Sequence, residues 1–262
     1  MKTVRILTGI LFLVIASAIF TACKKDNSNS RLTVYLTDSP ADYDALNIDI
    51  VRVEIKASSD QSDNGWQTLP VTAGIYNLLE FTNGMDTLLS SVELPGGKVS
   101  QLRLILGDNN SIVVHGNTLP LPLETPSAKT SGLKLNIHAD LVEGVEYKIW
   151  IDFDAARSVV VNGNGSYLLK PVIRTFTEAT SGAIKGNVQP AAAQAIVYAI
   201  SGADSLSAIP DATNGNYLIR GVPAGTWTVT ADANNGYVDQ SVTNVAVTLG
   251  HVTTVDSFIL VH

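Results

Sequence analysis

Two carboxylates two residues apart, Asp152 and Asp154, followed by Arg157 and then by Lys170 and Arg174, are the grouping best suited to chemistry. Residues two apart on a strand share a face. Asp152 and Asp154 would therefore stand with Lys148 and Trp150, while Tyr147, Ile149, Ile151 and Phe153 face the other way. Paired carboxylates of this kind can serve a glycosidase as acid and base. On a sheet they more often pair with cations of the neighbouring strand, here Lys170 or Arg174, at roughly 0.2–1 kcal/mol each. A second acidic group, Asp38, Asp42 and Asp44, places three carboxylates within seven residues and is a candidate cation site; capping and turn solvation are the commoner reason for such a group. Asp60, Ser62, Asn64 and Gly65 open like a calcium-binding loop, but Val71 stands where a bidentate Glu is needed.

Other chemistries lack their residues. The chain has no Gly-x-Ser-x-Gly and no His-Glu-x-x-His, and its four histidines, His115, His138, His251 and His262, form no motif. No catalytic residue, no metal and no cofactor is assigned. Flat rings stack on sugars, which makes Trp66, directly after the Asp63-Asn64-Gly65 turn, the first candidate for ligand contact. Trp150, alternating with charges, is the second, and Asp152 and Asp154 would be its polar neighbours.

The N-terminus fixes where such contacts would occur. Lys2 and Arg5 precede an apolar run from Ile6 to Phe20, a signal-peptide core too short for an ordinary membrane span. Phe20-Thr21-Ala22-Cys23 resembles the lipobox of bacterial lipoproteins, which implies cleavage before Cys23 and a lipid on that cysteine. Residues 1–22 are then a leader and residues 23–30 a polar tether. Cys23 is the only cysteine, so no internal disulfide or cysteine metal cluster can form. Removing Lys2 and Arg5 leaves 15 basic residues against 24 acidic ones, a formal charge of −9. That balance argues against nucleic acid as a partner. Lys24 after the cysteine resembles lipoproteins sent to the outer membrane, on either its periplasmic or its surface face.

The rest of the chain reads as β-structure. Leu32–Leu36, Ile50–Ile55 and Tyr147–Phe153 alternate apolar and polar residues, and Asn83-Gly84, Pro95-Gly96-Gly97, His115-Gly116-Asn117 and Asn162-Gly163-Asn164-Gly165 supply turns between strands. The expected fold is all-β, with two β-sandwich domains in tandem after the cleaved signal peptide, at residues 31–178 and 182–262. One or two short helical turns are expected in the first domain, at Ser39–Asp42 and within Leu78–Leu89.

Two resemblances go further. LTVYLTDSPADYDALNIDIVRVEIK, LPGGKVSQLRLILGDNN and IDFDAARSVVVNGNGSYLLKPVIR resemble the domain of unknown function 4382 family of Bacteroidetes-type lipoproteins, which implies an extracytoplasmic sandwich and no assigned activity. GAIKGNV, TNGNYLIRGVPAGTWTVTADANNGY and NVAVTLGHVTTVDSFIL resemble the carboxypeptidase-regulatory-like, or transthyretin-like, sandwich, which implies fold and little chemistry. The expected function is a lipid-anchored, non-enzymatic cell-envelope protein that binds or presents a glycan, matrix component or partner protein. The alternatives are a polysaccharide hydrolase using the acidic residues and a purely structural envelope assembly protein.

Overall fold

The computed structural model describes residues 29–57 and 65–262. The leader, Cys23, Lys24 and most of the Asp60–Gly65 segment lie outside the described residues. Two β-sandwiches follow one another along the chain, each around its own hydrophobic core.

The first is built from β1 (Ser30–Ser39), β2 (Ala45–Ala57), β3 (Trp66–Thr68), β4 (Gly74–Asn77), β5 (Thr87–Leu94), β6 (Gly97–Leu106) and β7 (Ser111–Val114). It continues with β8 (Asn117–Pro120), β9 (Leu133–Leu141), β10 (Glu146–Asp154), β11 (Val159–Val161), β12 (Tyr167–Leu169) and β13 (Ile173–Phe176). One layer has the order β13-β10-β1-β5; the other runs β8-β7-β2-β6-β9, with β3 and β4 on the free side of β2. Leu32, Val34 and Leu36 from β1 meet Ile48, Ile50, Val53, Leu102 and Leu104 from the opposing layer, and Ile149, Ile151 and Phe153 complete the packing. The alternation expected in β10 thus puts Ile149, Ile151 and Phe153 inside; in β2 it holds for Val53 and Ile55, but a bulge between Ile50 and Arg52 buries Ile50 and leaves Val51 exposed.

β1 and β10 are the central strands of their layer and run parallel to one another. Most of β1 and the Ile149–Phe153 stretch of β10 are buried, as parallel strands covered on two faces are. One cover is the core; the other is the second sandwich.

That second unit consists of β14 (Gly182–Gln189), β15 (Ile196–Ser201), β16 (Asp204–Ala208), β17 (Asn216–Val222), β18 (Gly225–Asp232), β19 (Gln240–Val247), β20 (Val252–Thr254) and β21 (Phe258–Ile259). The order β17-β14-β20, with β21 also on β14, faces the order β16-β15-β18-β19. Trp227 sits in its core and donates to the Pro223 carbonyl at 2.9 Å.

The helical turns differ from expectation. Ser39–Asp42 forms none, because β1 stays paired with β10 as far as Ser39 opposite Asp154 and Pro40 then ends the strand. Leu78–Phe81 is a single 3₁₀ turn; the Asn83-Gly84 turn follows, both residues at positive φ, and β5 begins at Thr87. Two short turns of α-helix lie elsewhere, at Ser127–Thr130 and Ala155–Ser158.

Candidate functional site

The predicted site residues fall into three places. Asp152 stands opposite Arg174 across β10 and β13, in the pairing that strand alternation suggests. Arg174 donates from Nε to Oδ2 of Asp152 at 2.7 Å, and its Nη2 lies 2.5 Å from the same oxygen. The guanidinium also crosses to the second sandwich. It donates to the carbonyls of Gly221 at 2.7 Å and Arg220 at 3.2 Å, both on β17.

β17 is the edge of its layer, so its outer backbone groups need partners. Arg174 supplies two and Asn83 supplies two more. The Asn83 amide donates to the Asn216 carbonyl at 3.2 Å and accepts from the Leu218 N–H at 2.7 Å. A strand edge is closed here by two side chains instead of a strand.

Trp150 belongs to the same seam and is not free to meet a ligand: it is 4% exposed. Its ring stacks between its cross-strand neighbours Tyr35 and Phe176, with centroids at 5.3 and 5.6 Å. Its Nε1 donates to Asp86 at 2.8 Å, and Arg220 reaches the same carboxylate oxygen at 2.6 Å while its guanidinium carbon lies 5.5 Å from the Trp150 ring. The expected solvent face of β10 is therefore a polar and aromatic joint. A groove of about 560 Å³ opens at its rim, lined by Phe176, Glu178, Arg220 and His251 and by Trp150 itself.

Asp154 starts the Ala155–Ser158 turn, accepting from the Arg157 N–H at 3.0 Å, with the Arg157 guanidinium at 3.7 Å. Lys170 pairs instead with Glu124 at 3.6 Å.

Asp38, Asp42 and Asp44 do not form a cation site. Asp38 is buried at the end of β1 and accepts from the Ala155 N–H at 3.1 Å; Asp42 is exposed; Asp44 accepts from the Gly116 N–H at 2.7 Å in the hairpin between β7 and β8. Among the described residues no three His, Cys, Asp or Glu side chains are placed to hold a metal ion. The chain bends after Pro40, and the three carboxylates diverge.

Asp38 carries an unsatisfied buried oxygen, Oδ2. Burial, and next the charge of Asp152, push its carboxyl well above the usual range, against the pull of the Ala155 N–H. Burial also pushes Asp152 up, opposed by Arg174. For Asp38 the folded state holds the proton more tightly than the unfolded chain. Its stabilising effect is complete below the unfolded value near pH ~3.9 and is lost as pH rises toward the folded one. Asp38→Asn keeps the Ala155 acceptor and cannot ionise. It is expected to melt higher than the wild type at pH 8, by roughly 2–4 °C if the gain is ~1 kcal/mol, and the difference should shrink at pH 4; thermal melts across that range read both.

Trp66 is placed differently. It lies half-buried on β3, on the outer face of the seven-stranded layer. The Arg103 guanidinium carbon is 4.2 Å from its ring centroid, and Nζ of Lys56 and of Lys134 lie at 5.8 and 6.0 Å. Lys134 is on β9, which is separated from β3 by β2 and β6, so the indole reaches across the sheet. Glu54 beneath it is buried, paired with Arg103 and Arg52, and accepts from Thr68.

Sequence reasoning passed over Tyr35, Asn83, Asp86, Phe176 and Arg220, all seam residues. Asp86 and Arg220 are 134 positions apart, and no local pattern links them. Among the described residues no helix is long and apolar enough to cross a membrane.

No curated protein matches the chain. Solved structures similar to it include the Bacillus anthracis TIE protein, at 10% identity and TM-score 0.23 over 88% of this chain and 34% of that one. The chain thus spans about a third of that protein. GBS52, the minor pilin of Streptococcus agalactiae, is 10% identical over 88% of this chain and 96% of that one, TM-score 0.22. The family 26 carbohydrate-binding module CBMbc of Eubacterium rectale Amy13K, solved with maltoheptaose, is 14% identical over 87% and 93%, TM-score 0.21. TM-scores this low transfer neither ligand nor role. The sequence model of a domain of unknown function (DUF4382) matches residues 29–171, from the start of β1 through β12. The chain belongs to the DUF4382 family.

Proposed function

We propose that this chain is a lipid-anchored, non-enzymatic protein of the bacterial cell envelope that binds a glycan through the outer face of its first sandwich, at Trp66. Cys23 carries the lipid, residues 23–30 are the tether, and the outer membrane is the site of anchoring. The first domain spans residues 31–178. Residues 182–262 form a carboxypeptidase-regulatory-like sandwich that stiffens it.

One observation carries the reading. The carboxylates that a hydrolase would use, Asp152 and Asp154, are engaged by Arg174 and by Arg157 with its turn, while Trp66 keeps an outward position among cations. A general acid needs access to substrate, and Asp152 is 4% exposed. Nothing in the geometry favours hydrolysis.

The test is a glycan array read with the full chain in a neutral detergent, beside Trp66→Ala. Loss of one stacking ring should weaken binding about tenfold, or ~1.4 kcal/mol, with the melting temperature nearly unchanged. Absence of binding to any glycan would remove the proposal and leave a structural role in the envelope.

A further inference from the structure

On the reading that Trp66 meets a glycan, we infer that the glycan is anionic: a polysaccharide bearing carboxylate or sulfate groups, laid across β3, β2, β6 and β9. The strand registers build two rows of side chains on this face. The first runs Trp66, Lys56, Gln101, Asn136; the second runs Thr68, Glu54, Arg103, Lys134. Arg52 adds a fourth cation two residues before Glu54 on β2 and is half-exposed. Three cations of the rows and Arg52 beside them thus outnumber the rows' one carboxylate, which is buried and already paired with Arg52 and Arg103.

The charge is concentrated against the trend of the chain, whose formal net charge is −7. Lys56 and Lys134 form no ion pair among the described residues, although both approach the indole. An ammonium near a ring gains ~0.5–1 kcal/mol at an exposed site, and that leaves its remaining donors directed to solvent or to a ligand. Gln101 and Asn136 are joined at 3.0 Å and offer amide groups suited to sugar hydroxyls. Indole, ammonium and amide within two adjacent rows are the three chemistries that an acidic sugar presents partners for: apolar ring face, anion and hydroxyl. The opposite end of β9 differs, since Asp140 stands across from Lys98 there.

The experiment is affinity electrophoresis of the full chain in a neutral detergent. The gels contain polygalacturonate for carboxylate, dextran sulfate for sulfate, or neutral dextran. Wild type should be retarded at least tenfold more strongly by one of the anionic polymers than by dextran, and raising the salt from 0.05 to about 0.5 M should abolish the difference. Lys56→Glu/Lys134→Glu should lose the retardation, Lys56→Gln/Lys134→Gln should lose most of it, and Lys185→Glu, on the exposed side of β14, should keep it. Equal melting temperatures confirm that the variants fold.

Retardation unchanged by the double substitutions would overturn the inference. So would equal retardation by single-stranded DNA or equal binding to anionic vesicles, which would mark a general polyanion surface. A chain that binds only neutral glycans, with Trp66→Ala weakening them, refutes the anionic ligand and leaves the glycan reading standing. Binding to no glycan at all refutes both.

Discussion

Arg174→Ala is expected to be the most destabilising polar substitution in the protein, by about 3 kcal/mol in denaturant unfolding. The side chain holds Asp152 on one side and two β17 carbonyls on the other. Its removal leaves a carboxylate only 4% exposed without a counter-charge. Breaking a buried pair costs about 3–5 kcal/mol, and the low end applies because a third of the Arg174 side chain is in contact with water. Arg174→Lys should recover part of the loss only, since an ammonium cannot reproduce the planar fork that reaches three oxygens. Replacing both partners, as Arg174→Met with Asp152→Leu, should cost less than Arg174→Ala alone.

Trp150→Ala should cost a comparable amount, roughly 3–5 kcal/mol, the usual loss for a large buried aromatic side chain. Three contributions disappear together: the stack with Tyr35 and Phe176, the donor to Asp86, and the platform beneath Arg220. The damage should spread to β17. Hydrogen exchange at the Leu218 amide, which Asn83 protects, is expected to accelerate well before the core of either sandwich opens. Denaturant midpoints and exchange rates on the same sample separate the two effects. The seam also tolerates no side chain at Gly221, where φ is +65° and an added Cβ would lie 2.5 Å from the Phe176 ring.

Much of this was readable in the residues. The alternation in Tyr147–Phe153 placed the core side of β10 correctly, that in Ile50–Ile55 held only from Val53 on because of the bulge before it, and Asn83-Gly84 and His115-Gly116 turn with the positive φ their types favour. A cation opposite Asp152 was expected from alternation and one intervening hairpin, with Lys170 and Arg174 both open; Arg174 is the one that stands there, and Lys170 pairs with Glu124. What alternation cannot tell is whether the polar face of a strand meets water or a second polar surface. Trp150 and Asp152 looked like a solvent face because the residues that meet them or their partner Arg174 from the second sandwich, Arg220 and Gly221, come about seventy positions later.

The Trp66 face was half legible. The ring stood out beside its turn, but its cations arrive from β2, β6 and β9 through registers shifted by irregularities at Ile50/Arg52, Lys56/Ala57 and Val99/Gln101. Each such extra residue changes which side chains share a face. Asp38, Asp42 and Asp44 misled for the opposite reason: closeness in sequence suggested a cluster, and Pro40 separated them. The Asp154-Ala155-Ala156-Arg157 cap was written plainly in the sequence and was overshadowed by its reading as half of a carboxylate pair.

The first sandwich divides its labour: Asp152 of β10 joins the two sandwiches through Arg174, and Trp66 is proposed to face the ligand. Polysaccharide retention measured side by side for the full chain, Trp66→Ala and Asp152→Asn tests that division most directly. Trp66→Ala should weaken retention about tenfold at a nearly unchanged melting temperature, and Asp152→Asn, whose carbonyl can still accept from Arg174, should retain the polymer in full. Retention indifferent to Trp66, together with release of reducing ends that stops in Asp152→Asn, would contradict it.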